Sequence, residues 1–246
     1  MPGPGPGEEY QRYGRTVRSF VAGISAEALA MAWARQENAP QGSTVVVGTE
    51  VSPIGLRGRK WPLAPMSTLA FSVVVRPPLS PDQADALWLV GGVAAVIGGE
   101  AAGGRNWATW WPEEVRDLET GDLLGWVKAD VQLGPAQVRF AILSFHFDLN
   151  TLGLVGDGRD QLLESVLVAL DKECEGLSEG TAAVAGVYSS RHAINGRRVR
   201  IRLMPKGETR GVAARVDAKA RLELESSTGM IERISVDQFR ELFVVA

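Results

Sequence analysis

Two apolar runs, Thr44-Val45-Val46-Val47 and Thr68–Val75, flank a glycine-rich basic stretch in the first third of the chain. Short runs rich in β-branched residues read as buried strands. Upstream, residues 10–23 show no clean period, and then Ser25-Ala26-Glu27 opens a helix. Ser25 is its N-cap, and Ala28, Leu29, Ala32 and Trp33 form its apolar face. Pro81-Asp82-Gln83 starts a second helix in which Ala86, Leu87, Val90, Val93, Ala94 and Ile97 recur at helical spacing. Gly91-Gly92 inside it costs about 1 kcal/mol of propensity per glycine, so close packing against a sheet is expected in return.

The pattern then returns to strands. Residues 115–131 read as a hairpin about Glu119-Thr120-Gly121-Asp122, and residues 138–150 as an apolar strand running out at His146-Phe147-Asp148. Residues 160–175 form an amphipathic helix with Leu162, Leu163, Val166, Leu167 and Leu170 as its stripe, ending at Gly176. From Gly196 onward the texture changes to short strands at 198–203, 211–216, 221–225 and 230–234, separated by glycine and polar turns. Strands so short and close together suggest a small barrel. The expected division is a disordered tail at 1–9, a larger unit at 10–183, a linker at 184–195 carrying an exposed His192, and a β unit at 196–246.

Composition adds bounds. At 246 residues the chain lies between one and two domains of ~150 residues each. Hydrophobic residues make up 45% and charged residues 22%, which is ordinary for a soluble globular protein. With a net charge of −3, nothing global calls for nucleic acid or an anionic membrane. The uncharged run 86–99 is too short and too glycine-interrupted to span a bilayer, and the Pro-Gly start is no signal peptide. The single Cys174 excludes an internal disulfide and fits a reducing cytoplasm; its acidic neighbours make it inert. No metal-ligating pattern stands out.

The candidate chemistry centres on Gly55-Leu56-Arg57-Gly58-Arg59-Lys60-Trp61, between the two apolar strands. Gly55 and Gly58 allow positive φ and close backbone approach. Arg57 and Arg59 offer planar forks suited to carboxylate or phosphate oxygens, and Trp61 can wall a pocket or close the loop onto the core. The same residues also describe a basic surface loop solvated by water. On the late strand, Ser144, His146 and Asp148 share one face at ~7 Å spacing, which does not build a nucleophile–base–orienter chain. His146 is instead expected to face a ligand.

The loop resembles the second half of the Gly-Arg-rich adenylate-binding loop of biotin protein ligases. Gln41-Gly42-Ser43-Thr44 before it and Leu69-Ala70-Phe71-Ser72 after it resemble the flanking strands. Trp111-Pro112-Glu113-Glu114 is similar to the family's Lys-Trp-Pro-Asn-Asp signature, with Trp110 in the lysine position and Glu113 in that of Asn. Residues 121–127 resemble the segment with a second lysine, whose place Asp122 takes; Gly125, beside Trp126, is retained where the family packs backbone on the acyl chain. Ser25 echoes the family's Ser-Thr-Asn run, and Gly196-Arg197-Arg198 resembles the start of its SH3-like C-terminal domain. No segment resembles the DNA-binding helix-turn-helix of the repressor-type ligases.

The resemblance implies an α/β (α+β) protein of the biotin/lipoate protein ligase family: a mixed central sheet with packed helices and an SH3-like C-terminal barrel. It implies a ligase or acyltransferase that binds biotin, lipoate or a related small carboxylic acid, uses ATP with Mg, and delivers the acid to a lysine of a carrier domain. It also allows a homodimer. Ligand contacts would fall to Gly55, Arg57, Gly58, Arg59, Trp61, Trp111, Gly125, Trp126 and His146. With both lysines replaced, Lys128 is the candidate substitute cation, and Lys60 a second. The competing expectation is a pseudoenzyme that keeps the pocket and binds a small acid or a carrier domain without chemistry.

Overall fold

In chain order the elements are β1 (Glu9–Arg12), β2 (Arg15–Gly23), α1 (Ala26–Gln36), β3 (Thr44–Glu50), β4 (Thr68–Val75), α2 (Ala86–Gly103), β5 (Trp107–Trp110), β6 (Glu114–Asp117), β7 (Leu123–Leu133) and β8 (Val138–Asp148). There follow α3 (Leu149–Leu152), α4 (Gly158–Gly176), α5 (Ala182–Ser190), β9 (Arg198–Leu203), β10 (Glu208–Val216), β11 (Leu222–Glu225), β12 (Ile231–Ile234) and β13 (Phe239–Val244). The computed structural model describes residues 9–12, 15–61, 67–103, 106–154 and 156–245.

β8 lies at the centre of an eight-stranded sheet of order β1-β2-β3-β4-β8-β7-β6-β5, in which the β2–β3 pair is parallel and the others antiparallel. Its side chains alternate between two different environments, as strand geometry requires. Leu143, Phe145 and Phe147 join Phe71 and Val73 of β4 in the larger core cluster, and Phe71 stacks on Phe145 at 4.9 Å. On the opposite face Phe140 and Ile142 join Val45, Val47 and Val74 in a smaller cluster sealed by Ala26, Ala30 and Trp33 of α1. Ser25 caps α1 as its sequence predicts, accepting from Ala28 N–H at 3.1 Å.

α2 is the buried helix of the larger layer. By length and composition it could cross a membrane, but here it packs against α4, α5 and the sheet. Its glycines are points of closest approach: a Cβ on Gly98 would strike the α4 backbone at Val166, and one on Gly92 would strike the Tyr188 ring of α5. The propensity lost at these positions is thus matched by helix–helix contact.

β9 to β13 form a second, antiparallel sheet of order β12-β11-β10-β9-β13, a meander whose last strand returns to pair with its first, the topology of an SH3-like barrel. Val199, Ile201, Leu222 and Phe239 of this sheet belong to the same continuous cluster as Leu87, Trp111 and Tyr188.

Several expectations need correction. Residue 9 lies in β1, paired with Arg18, whereas the expected tail at 1–8 lies outside the described residues. The periodless stretch 10–23 supplies most of β1 and β2. Most of 184–195, expected as a linker, belongs to α5 and the turns after it. His192 is buried rather than exposed, because the chain turns back beneath β5. Its Nε2 accepts from Trp111 N–H at 3.1 Å, so Nδ1 carries the proton and donates to Asn195 Oδ1 at 3.1 Å. Burial lowers the His192 pKa to about 4.

Candidate functional site

The Gly-Arg loop closes on itself. Gly55 N–H donates to Arg59 O at 2.7 Å and Arg59 N–H to Leu56 O at 3.2 Å, making a single turn between the bridged residues Ile54 and Lys60. Gly58 has φ of +75°, the conformation its glycine was expected to provide. Gly55 does not: its φ is −80°, and it is small because a Cβ there would fall inside the Trp61 indole. The other left-handed residue is Arg57, at φ +56°, a conformation that is uncommon without glycine. Its side chain is exposed.

The loop's inner side is taken by a carboxylate from the same chain. Glu113 comes from the turn between β5 and β6, and its side chain is 1% exposed. One oxygen accepts from Leu56 N–H at 3.0 Å, and the other forms an ion pair with Arg59. The backbone carbonyl of Glu113 accepts from Val127 N–H at 2.7 Å, fixing the turn to β7. Burial pushes the Glu113 pKa up, while the Arg59 charge and the Leu56 N–H pull it back. This is a charge-assisted anion site already filled by a side chain.

Next to it lies an aromatic and ionisable group on the α1 side of the sheet. Trp126 of β7 stands opposite His146 of β8. Trp61 packs edge-on to His146 at 4.2 Å between ring centres and stacks with Trp126 at 5.9 Å. His146 Nε2 lies 2.6 Å from Glu50 Oε2, with both side chains under 5% exposed. Glu50 Oε1 accepts from Ala26 N–H, at the start of α1, at 2.6 Å. His146 Nδ1 is buried and has no hydrogen-bond partner among the described residues. Glu50 was missed in the sequence. The available signal was an acid at the end of a buried strand, immediately before a basic loop.

Other expected contacts are engaged elsewhere. Gly125 serves its own sheet, since a Cβ would run into His146 O and Phe147 across the β7–β8 pair. Trp111 faces the C-terminal sheet, donating from Nε1 to Ala220 O at 2.8 Å and packing edge-on to Phe239. Lys128 Nζ is held by both Glu27 oxygens of α1, at 2.9 and 2.8 Å. Lys60 is exposed. Trp110 is half-buried under the Arg116 guanidinium, and Asp122 is exposed at the hairpin end, where it accepts from Thr120. Ser144 bonds Ser72, and Asp148 caps α3 through Asn150 and Thr151 N–H, so the three polar residues of β8 form no chain. Between the loop and the C-terminal sheet runs a cleft of about 480 Å³, edged by Arg57, Arg59, Glu113, Met204 and Arg240.

Comparison with solved structures decides the fold. The biotin protein ligase of Aquifex aeolicus, in complex with biotin and ATP, superposes with a TM-score of 0.73 over 93% of this chain and 99% of the other, at 19% identity. The chain has the biotin protein ligase fold. A biotin protein ligase-like protein of unknown function from a Silicibacter species matches with a TM-score of 0.69 and 17% identity, over 91% of this chain and 95% of its own. The biotin acetyl coenzyme A carboxylase synthetase of Helicobacter pylori, with bound biotinylated ATP, matches with a TM-score of 0.57 and 16% identity, over 88% and 98%. No protein family matches in a scan of family profiles, and no curated protein sequence matches. On the biotin protein ligase fold, this chain therefore carries a basic loop whose Arg59 is paired with Glu113, and a His146–Glu50 pair packed against two tryptophans.

Proposed function

We propose that this protein binds a small carboxylic acid, or a pre-activated derivative of one, and does not make biotinyl-adenylate at ordinary rates. The observation that carries the reading is Glu113 in the loop. Adenylate formation builds negative charge on the attacking carboxylate and the α-phosphate, and preorganised cations must meet it. Losing one such donor costs about 10²–10³ in rate. In this chain Arg59 is spent on Glu113, Lys128 on Glu27, and the positions that resemble the family lysines hold Trp110 and Asp122. ATP with Mg is kept as a proposed ligand of the loop rather than as a working cofactor, since Arg59 and Lys128 are already paired.

Arg57 is the residue placed to meet an anionic ligand, with Gly58 beside it offering backbone access. Trp61, Trp126 and His146, expected as ligand contacts, instead form a buried aromatic layer behind the loop and do not line the cleft. Half-buried Cys174, whose thiol pKa is raised to about 12 by burial, suits a reducing cytoplasm and is read as inert. A second reading, acyl transfer to a lysine of a carrier domain, is favoured by the cleft between the loop and the C-terminal sheet, which has room for a pre-activated donor. The deciding experiment is mass spectrometry of co-purified small molecules, followed by thermal shift with biotin, lipoate, octanoate and ATP. Stabilisation by an acid without ATP supports binding; no stabilisation by any acid contradicts it. A mass increase on a carrier lysine from a synthetic acyl-adenylate would select the second reading.

A further inference from the structure

The C-terminal unit and the rest of the chain carry opposite net charge. Residues 196–246 hold eleven basic and seven acidic side chains, so they are net +4 in a chain of net −3, and the remainder is net −7. Part of the surplus lies on one surface. An open groove of about 940 Å³ crosses β9, β10, the end of β11 and the edge strand β13. Arg198, Arg200 and Arg210 line it together with Val212, Phe243 and Val245. Arg200 and Arg210 share the carboxylate of Glu208, at 3.6 and 2.8 Å, and Arg202 pairs with Glu241 at 3.0 Å. Exposed Arg198 has no acidic partner among the described residues, and Glu225 is the groove's own acid. The Phe243 ring is covered by two guanidinia, Arg200 at 4.6 Å and Arg202 at 5.3 Å.

We propose that this groove docks an extended acidic segment of a partner protein. Arg198 and Arg200 lie two residues apart on one strand, a spacing of about 7 Å that matches alternate side chains of an extended peptide. Such a segment can run along the free edge of β13 and gain main-chain hydrogen bonds there. Its carboxylates meet the arginines, and its intervening apolar residues meet Val212, Phe243 and Val245. The interleaving of charge with apolar surface suits a peptide better than a nucleic acid, whose continuous phosphates would also face the acidic remainder of the chain.

The test is fluorescence anisotropy of a short labelled peptide of alternating Glu and Leu, titrated with the full chain at low and physiological salt. The peptide should bind, the affinity should fall with salt, and R198E/R200E should weaken it by roughly tenfold or more. Both arginines are at the surface of the barrel, and circular dichroism checks that the variant is folded; R198A alone gives a milder second variant. Loop variant R57A should leave peptide binding unchanged, which separates this surface from the acid site. Binding no tighter than that of a Lys-Leu peptide, or indifference to the arginine changes, would overturn the proposal. A single-stranded oligonucleotide of equal charge binding more tightly would also overturn it, in favour of nucleic acid.

Discussion

Glu113 is the residue on which the chemistry turns, and its neighbours make it testable. Glu113→Gln keeps an acceptor for Leu56 N–H but removes the charge that neutralises Arg59. Affinity for a small anion at the loop should then rise about tenfold, since a charge-assisted contact is worth ~1.5–3 kcal/mol. Calorimetry with the acid found by thermal shift reads this directly, and unchanged affinity would return the loop to a solvated surface. Glu113→Ala, by contrast, strands a buried N–H and should cost about 1–3 kcal/mol of stability. The two loop glycines separate cleanly. Gly55→Ala pushes a methyl into Trp61 and should destabilise by about 1–3 kcal/mol, with a change in near-ultraviolet circular dichroism. Gly58→Ala meets no atom within 4 Å, so its penalty of about 1 kcal/mol comes from the left-handed backbone alone and should leave that spectrum unchanged.

At the scale of elements, the turn after α5 predicts a pH dependence. His192 is held neutral, its pKa lowered to about 4 by burial, whereas the unfolded chain binds that proton near 6.5. Between those values the unfolded state carries more protons, so stability rises with pH and is lost as pH falls through this window. The full effect is about 3 kcal/mol. His192→Gln should flatten the slope between pH 4 and 6.5 relative to the parent; comparing the two cancels the acids, such as Glu27 and Glu113, that titrate nearby. An equal slope in both would contradict the assignment. This turn also marks the limit of what the sequence made legible. Helices α1, α2 and α4 could be read because one period persisted long enough to dominate. β1 and β2 could not, since β2 sets Arg15 against α4 and turns Arg18 and Phe20 toward α1 while positions near its end are exposed, leaving no clean period. β13 was missed because Arg240 and Glu241 break its apolar run, although it completes the second sheet by pairing with β9. Polar residues around His192 suggested exposure; only tertiary structure brings Trp111 N–H above it. The basic loop was visible in the sequence, but its pairing with Glu113, 54 residues away, was not.

For the whole molecule, the second sheet is separate in strand pairing but not in core. Trp111, 1% exposed, is bonded to Ala220 and packed on Phe239, and α5 covers α2 through Tyr188. Residues 196–246, read from sequence as a unit of their own, thus lean on the larger one. A chain ending near residue 183 would expose Trp111 and remove α5, and we expect it to lose its cooperative melt and near-ultraviolet signal. A soluble truncation with native-like spectra would instead make the unit independent. The proposed division of labour follows the same plan: an acid site proposed at the loop, a docking face proposed on the second sheet, and the cleft between loop and second sheet for a partner's side chain to enter. Whether this chain forms biotinyl-adenylate is read most directly by biotin-dependent exchange of labelled pyrophosphate into ATP by the purified protein. Exchange by the parent chain is expected to be no faster with biotin than without it. Robust biotin-dependent exchange would contradict it, showing that the cations tied to Glu113 and Glu27 are released when substrate binds.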